Sequence, residues 1–184
     1  AQAAPDGYLL LMGTTAAVTD KNIAKFVPVA LVSASPYVVT VNPALNISSI
    51  RSLIAYAKTN PGKLRYGSSG PGSASHLSAE LFASMAGINL MHIPYKGTGQ
   101  ALTDLLAGHI DIMFAPAQTV MPQVEAGKLL ALAETGSKRS ESLPNIPTVA
   151  ESGLPGYSAV GWFGLFAPAG TPKPIVQKIN QGVM

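Results

Sequence analysis

The chain contains no cysteine and carries little charge. The absence of Cys from its 184 residues excludes disulfides, thiol catalysis and cysteine-ligated zinc. Charged residues make up 11% of the sequence, whereas about 25% is usual for a soluble domain. The net charge is only +3 and the basic residues are scattered. We therefore expect no nucleic-acid binding, although this balance mildly favours an anionic ligand.

Long apolar runs and clustered metal ligands are also missing. No apolar run reaches the roughly 18 residues needed to cross a membrane, so we expect no membrane-spanning segment. The three histidines are scattered along the chain, and their spacing predicts no metal site. We expect no cofactor either.

The sequence is instead rich in glycine, proline and apolar segments that alternate regularly. With 18 Gly, 15 Pro and 47% hydrophobic residues, the composition indicates a compact, turn-rich protein. Strand-like runs alternate with amphipathic helical segments, which predicts an α/β fold with an open parallel or mixed sheet and helices on both faces. Strands are predicted at residues 8–13, 26–32, 37–41, 64–67, 90–94, 110–115, 129–135 and 161–167.

Two of these strand predictions are specific enough to test. The continuous apolar run of residues 8–13 predicts a strand buried on both faces, as in a parallel sheet. Ser35 and Pro36 interrupt the next apolar stretch, so residues 26–32 and 37–41 are predicted as two separate strands.

Two helices are predicted in similar detail. Ser48 is the expected N-cap of a helix that runs to Asn60. A second helix is expected at Ser75–Ala86, ending at Gly87. The expected buried residues are Ile50, Leu53, Ile54 and Ala57 in the first helix, and Leu77, Leu81 and Met85 in the second.

The most informative segment lies between Leu64 and Leu77. A short strand leads into residues 68–73, here called the glycine–serine loop, and a helix follows directly. Such a loop directs N–H groups and hydroxyls to one place at the positive end of a helix dipole. That arrangement binds anions, most often phosphate or carboxylate. The alternative is a serine-rich turn that only caps the helix.

The loop does not match the better-known anion motifs. A phosphate-binding P-loop requires lysine where this chain has Ser73. A dinucleotide fingerprint requires a third small residue where Ser75 stands, and an acidic strand end about twenty residues later, which is missing. A nucleophile elbow requires one more residue between Gly67 and Gly70. The sequence therefore predicts an anion site without a metal, a phosphate-binding lysine or an activated serine.

Catalysis is a second possibility, because the loop is rich in serine. A Ser/His/Asp triad would need Ser68 or Ser69, a histidine, and Asp104 or Asp111. The spacing places no oriented base beside either serine, so we expect no enzymatic activity. A small α/β hydrolase using this loop remains the alternative from another class.

Eight segments, in this order, resemble one known family. They are APDGY (4–8), YGSSGPG (66–72), HL (76–77), HIPYKG (92–97), LTDLLAG (102–108), AGKL (126–129), PTVAE (147–151) and FAPAGTP (166–172). The chain resembles the Bug-type periplasmic substrate-binding proteins of tripartite tricarboxylate transporters, and the resemblance covers nearly all 184 residues.

The resemblance implies a two-lobed, periplasmic-binding-protein-like fold with a ligand cleft between the lobes. Residues 1–42 and 158–184 would form one lobe and residues 43–157 the other. The implied function is that of a monomeric periplasmic receptor, which captures a small carboxylate and passes it to membrane transporter subunits. The carboxylate would be an amino acid, a di- or tricarboxylate or an aromatic acid. An orphan receptor that presents its ligand to a membrane sensor is the alternative.

The resemblance and the loop chemistry together give a set of candidate ligand-binding residues. Lys96 is excluded from it, because its position before a flexible turn predicts solvent exposure. His76 could instead bond only to neighbouring backbone, and Phe163 could instead fill the core. The set is Gly13, Thr14, Thr15, Ser68, Ser69, Gly70, Gly72, Ser73, Ala74, His76, Ala115, Pro116 and Phe163.

The chain also departs from the family pattern. The family has a strand and a Pro-Gly-Gly-type loop before the point where this sequence begins, and it continues past Met184. The connection between Thr19 and Phe26 is shortened. We therefore expect a chain that is incomplete relative to the family, with half of the carboxylate site outside it.

Overall fold

The computed structural model describes residues 3–19 and 21–183. Residues 1, 2, 20 and 184, which fall within the predicted lobes and the Thr19–Phe26 connection, lie outside the described residues. The chain divides into a smaller unit, Ala1–Ala34 with Trp162–Met184, and a larger unit, Ser35–Gly161. The lobe boundaries at residues 42/43 and 157/158 stay predictions.

Strands and helices alternate along the described chain. The strands are β1 (Leu11–Gly13), β2 (Phe26–Val41), β3 (Arg65–Ser68), β4 (Met91–Pro94), β5 (Ile112–Pro116), β6 (Leu130–Glu134) and β7 (Val160–Pro168). The helices are α1 (Ile50–Thr59), α2 (Ala74–Ala86), α3 (Thr98–Ala107), α4 (Ala117–Glu125) and α5 (Lys173–Val183). Within the described ranges, none of the helices is long and apolar enough to cross a membrane.

The larger unit contains a mixed sheet centred on β5. β3 pairs in parallel with both β4 and β5, whereas the second half of β2 pairs antiparallel with β5 and β6. The β2–β6 pairing shifts register between Val39 and Thr40, where β6 carries one extra residue. The parallel part of this sheet carries the ends of β3, β4 and β5 to one edge.

The sheet separates two apolar cores. Alternate residues of a strand point to opposite faces. Ile112 and Phe114 accordingly pack with residues of α1 and α2, whereas Met113 and Ala115 pack with residues of α3 and α4. Helices therefore cover both faces of the sheet, and the predicted α/β fold class is confirmed.

The N-terminal strand is shorter and more exposed than predicted. β1 contains only Leu11–Gly13, paired antiparallel with β7. Tyr8 and Leu9 precede it and are 93% and 61% exposed, so the prediction of a strand buried on both faces is wrong. An apolar run alone does not create burial, and no described strand or helix covers these two side chains.

β2 is one strand where the sequence predicted two. It runs without a break through Ser35 and Pro36, so the predicted interruption is wrong. Proline has no N–H and removes a ladder hydrogen bond only where one is needed. Pairing of β2 with β5 begins at Tyr37, directly after Pro36, so the missing N–H costs no bond in that ladder.

Helix α1 begins one residue later than predicted. Its N-cap is Ser49 rather than Ser48, because Ser49 Oγ accepts the Ser52 N–H and the Ser52 hydroxyl accepts the Ser49 N–H. This reciprocal pair is a capping box with serine in the place of the usual glutamate. The predicted apolar stripe is confirmed by the burial of Ile50, Leu53 and Ala57.

Helix α2 buries a different face from the predicted one. Leu77, Leu81 and Met85 are 48%, 38% and 40% exposed, so their predicted burial is wrong. The buried residues are Ser75, Ser78, Ala79, Phe82, Ala83 and Ala86. Small side chains allow the helix to approach the sheet closely, and Phe82 fills the remaining space against Phe114, with ring centroids 5.6 Å apart.

Replacing Phe82 with alanine should therefore destabilise the larger unit much more than replacing its neighbour Leu81. Phe82 is fully buried, and its loss leaves a cavity that typically costs about 3–5 kcal/mol. The exposed Leu81→Ala control should cost less than about 1 kcal/mol. Urea denaturation of both variants measures the difference, and equal losses would contradict the observed orientation of α2.

Candidate functional site

The predicted residues of the larger unit lie along one edge of its sheet. Because β3, β4 and β5 are parallel, their carboxyl ends meet at the same edge, where ligands bind in open α/β sheets. Ser68 ends β3, and Ala115 and Pro116 end β5. The Tyr95 N–H donates to the Ser68 carbonyl over 3.0 Å and ties the end of β4 to the same edge.

The glycine–serine loop uses most of its own N–H groups. The Gly70 N–H donates to Ser68 Oγ over 3.1 Å, and the Gly72 N–H donates to His76 Nδ1 over 3.2 Å. The Ser73 N–H donates to the Gly70 carbonyl over 3.2 Å. These internal bonds hold the loop in one conformation and remove three of the predicted donors from contact with a ligand.

Two N–H groups at the start of α2 remain without a partner in the described part of the chain. They belong to Ala74 and Ser75, the first two residues of the helix. The N-cap Ser73 instead accepts the His76 N–H through its Oγ. The first N–H groups of a helix carry partial positive charge, so adjacent free ones are suited to the two oxygens of a carboxylate.

Three serine hydroxyls form a chain whose direction is fixed by the contacts. Ser73 Oγ donates to the Gly70 carbonyl over 2.6 Å. Ser75 Oγ lies 3.0 Å from Ser73 Oγ and 3.2 Å from Ser69 Oγ. Because each hydroxyl has one proton, Ser75 must donate to Ser73, and Ser69 to Ser75. The hydroxyl protons are thus used inside the loop, and the backbone amides are the principal donors left for an anion.

Three aromatic rings lie beside the loop. Tyr66 and His92 are stacked with centroids 4.8 Å apart, and His92 and His76 follow at 4.3 Å. The Tyr66 hydroxyl donates to Glu80 Oε1. Burial, followed by the bond to Glu80, raises the pKa of Tyr66, so its ring stays neutral at physiological pH.

His92 is held neutral by this environment. Burial and then the neighbouring His76 lower the pKa of His92, and Glu80 offsets this only in part.

The prediction that no base lies beside Ser68 is wrong. Ser68 Oγ lies 2.6 Å from His92 Nε2, because the parallel register places Ser68 close to β4. This pair nevertheless lacks other parts of a triad. Ser68 is fully buried, Asp104 is bonded to Tyr95, and Asp111 is bonded to Arg65. The two candidate acids are thus engaged elsewhere, and neither of them orients His92.

The remaining predicted residues belong to the smaller unit. Gly13 ends β1, and a Cβ there would lie 3.0 Å from Val18 and 3.2 Å from the Phe166 ring, so a side chain would require these neighbours to shift by a few tenths of an ångström. Thr15 Oγ1 is buried and makes no hydrogen bond to the described residues. Phe163 is 48% exposed on β7. The roles of Gly13, Thr14, Thr15 and Phe163 in ligand binding stay predictions.

Sequence reasoning missed two residues at this site. Ser75 was treated only as the start of the helix, although moving the N-cap to Ser73 places the Ser75 N–H among the free amides. His92 was not among the candidate residues. Its contact with Ser68 depends on the β3–β4 register, for which the local sequence carries no signal. Among the described residues, no cluster of three or more His, Cys, Asp or Glu side chains could hold a metal ion.

Comparison with known proteins places the chain in a family. A family model described as the tripartite tricarboxylate transporter family receptor matches residues 1–184. The chain belongs to this receptor family. It is 37% identical to Protein BugT of Bordetella pertussis over 196 residues, a match that covers 100% of this chain and 60% of BugT. The predicted resemblance to Bug-type receptors is confirmed.

Solved structures of this receptor family share the fold. An R. palustris protein with adipate superposes with a TM-score of 0.88 and 36% identity, covering 99% of this chain and 64% of that one. MatC from Rhodopseudomonas palustris with bound malate gives a TM-score of 0.86 and 32% identity, covering 98% and 65%. The chain thus spans less than two thirds of these relatives, and its periplasmic-binding-protein-like fold is confirmed.

Gly72→Val should abolish carboxylate binding and leave the fold largely intact. Gly72 has a φ of +75°, which a β-branched residue strongly disfavours, but no protein atom lies within 4 Å of a Cβ built there. The strain therefore falls on the loop rather than on the core. Gly67→Ala is the contrasting variant, because its Cβ would clash with Ile110. Calorimetry and thermal melting separate the two effects, and parent-like binding by Gly72→Val would contradict the role of the loop.

Lys96→Ala should change carboxylate affinity only modestly. Lys96 is exposed, as predicted, and makes no ion pair among the described residues. Exposed ion pairs contribute about 1 kcal/mol or less. A loss in calorimetry on the order of a hundredfold, about 2.7 kcal/mol, would show that the lysine is a direct, desolvated partner of the ligand.

Proposed function

We propose that this chain is part of an extracytoplasmic solute receptor that binds a small carboxylate at the glycine–serine loop. The observation that carries the proposal is the pair of free N–H groups on Ala74 and Ser75, next to a loop whose own N–H groups bond internally. Membership of the tripartite tricarboxylate transporter receptor family supports it.

A dicarboxylate is the first ligand class to test. The two solved relatives carry adipate and malate, which share a pair of carboxylates on a short carbon chain. A free amide pair suits one carboxylate and leaves the other for further donors.

The proposed anion site relies on backbone rather than on a charged side chain. No arginine or lysine lies in the glycine–serine loop. Hydrogen bonds to a charged group contribute roughly 1.5–3 kcal/mol each, so a few amides can supply useful affinity without a formal positive charge. Weak retention by dipoles also suits a receptor that must release its ligand.

The cellular role follows from the family rather than from the loop. We infer a monomeric periplasmic protein that delivers its ligand to membrane transporter subunits, without inserting into the membrane and without catalysis. Presentation of the ligand to a membrane sensor is the alternative partner relationship. A small hydrolase using Ser68 is disfavoured because Asp104 bonds to Tyr95 and Asp111 to Arg65, so that neither acid orients His92.

Calorimetry with adipate, malate, citrate, glutamate and benzoate, each beside its amide, tests the proposal. Acids should bind and the corresponding amides should not, because only a carboxylate gains the charge-assisted bonds. Equal binding of acids and amides, or turnover of ester substrates, would rule out the proposed receptor function.

Ala74→Pro should weaken carboxylate binding by about tenfold or more, since one charge-assisted hydrogen bond is lost. Proline lacks the N–H but is well tolerated at the first position of a helix. The preceding Ser73, at φ −68° and ψ 161°, already has the conformation favoured before proline. Ala74→Gly, which keeps the N–H, is the matched control. Parent-like calorimetry of Ala74→Pro would exclude this amide as a ligand donor.

A further inference from the structure

Each of the two histidines beside the glycine–serine loop is linked by hydrogen bonds to the N–H group of one glycine, one directly and the other through a serine. His76 accepts the Gly72 N–H directly at Nδ1, over 3.2 Å. His92 contacts Ser68 Oγ through Nε2, over 2.6 Å, and Ser68 Oγ accepts the Gly70 N–H over 3.1 Å. The loop conformation therefore depends on which imidazole nitrogens carry protons.

The two bonds respond differently to protonation. A neutral imidazole has one donor and one acceptor nitrogen, whereas a protonated imidazole has two donors. Because His76 Nδ1 accepts, its proton must lie on Nε2, and the bond to Gly72 exists only while His76 is neutral. His92 can keep its contact with Ser68 after protonation, because Nε2–H can donate to the serine oxygen.

The surroundings of His76 contain three other titratable groups. His92 faces it from β4 at a centroid distance of 4.3 Å, Tyr66 from β3 at 6.4 Å, and Glu80 lies one turn along α2. Burial and the neighbouring His76 lower the pKa of His92, and the pKa of Tyr66 is raised. Tyr66 and His92 therefore stay uncharged over a wide pH range, and Glu80 is engaged by Tyr66.

We propose that His76 is a positioning residue of the carboxylate site, whose neutral Nε2–H tautomer fixes the Gly72 amide and thereby the orientation of the free Ala74 and Ser75 amides. Any form of His76 with a proton on Nδ1 would oppose the Gly72 N–H, and the loop would lose this conformation. The effect on ligand binding rests on the proposed function. The hydrogen bond between the Gly72 N–H and His76 does not depend on it.

Two variants separate hydrogen bonding from space filling. His76→Asn keeps an acceptor oxygen at the same distance from the backbone and cannot titrate, whereas His76→Leu fills similar space without an acceptor. His109→Asn is the control, because His109 is exposed and contacts Asp104 rather than the loop. If His76 only fills space, His76→Leu will behave as the parent does and His76→Asn will be the worse variant.

Ligand-free NMR tests the tautomer and the loop. Long-range nitrogen–proton spectra near pH 8 should place the His76 proton on Nε2. The Gly72 amide should lose about tenfold or more of its exchange protection in His76→Leu, but not in His76→Asn. A proton on Nδ1, or equal protection in both variants, would overturn the proposal.

Calorimetry with adipate and malate tests the consequence for binding. Near pH 8, where both ligands are dianions, His76→Leu should bind at least about tenfold more weakly than the parent, while His76→Asn should bind as the parent does. Parent-like binding by His76→Leu, or weak binding by His76→Asn, would overturn the proposal. If neither acid binds but the NMR results are as expected, the proposed ligand class is wrong, and the positioning of the loop by His76 is still supported.

Discussion

The parallel pairing of β3 with β5 is the constraint on which the site depends. At the start of this pairing, the Asp111 carboxylate accepts the Arg65 N–H over 2.8 Å and two further bonds from the Arg65 guanidinium. The Asp111 N–H in turn donates to the Arg65 carbonyl. These bonds hold the two strands in register, so that β3 delivers the glycine–serine loop to the edge where β5 also ends.

The loop then achieves order by satisfying nearly all of its own polar groups. Donors that would otherwise need water or a ligand bond inside the loop. Their acceptors are serine hydroxyls, two imidazoles and the Gly70 carbonyl. A loop that kept every donor free would be costly to order, because unpaired polar groups favour solvent. The two amides at the start of α2 are left over because no helix can satisfy its own first N–H groups.

Local sequence patterns predicted most elements but failed where the answer depends on distant partners. The stripe of Ile50, Leu53 and Ala57 was readable because helical periodicity is local. The choice between Ser48 and Ser49 as N-cap was not, because adjacent serines have the same propensity. In α2 the positions of the larger apolar side chains predicted the wrong buried face. The face with small side chains packs on the sheet instead, because it allows a close approach.

The candidate site was predictable in the same uneven way. The Gly–Ser composition predicted an anion site at this loop, since backbone donors and helix dipoles are properties of a short segment, and that site stays a prediction. The contact of Ser68 with His92, 24 residues away, required the β3–β4 register. His76 Nδ1 also decides which loop amides remain free, because it accepts the Gly72 N–H. This bond depends on the orientation of the His76 side chain, which the spacing of residues in the sequence does not predict.

Gly67 and Gly72, five positions apart, differ in what limits their substitution by other residues. Gly67 is enclosed by Ile110 and Ala101, so a larger side chain at this position would lower the stability of the fold. Open space surrounds the Cβ position of Gly72, where only the backbone angle restricts substitution. Asparagine tolerates such left-handed angles better than other residues. A substitution at residue 72 would thus change the conformation of the loop while the scaffold beneath it is preserved.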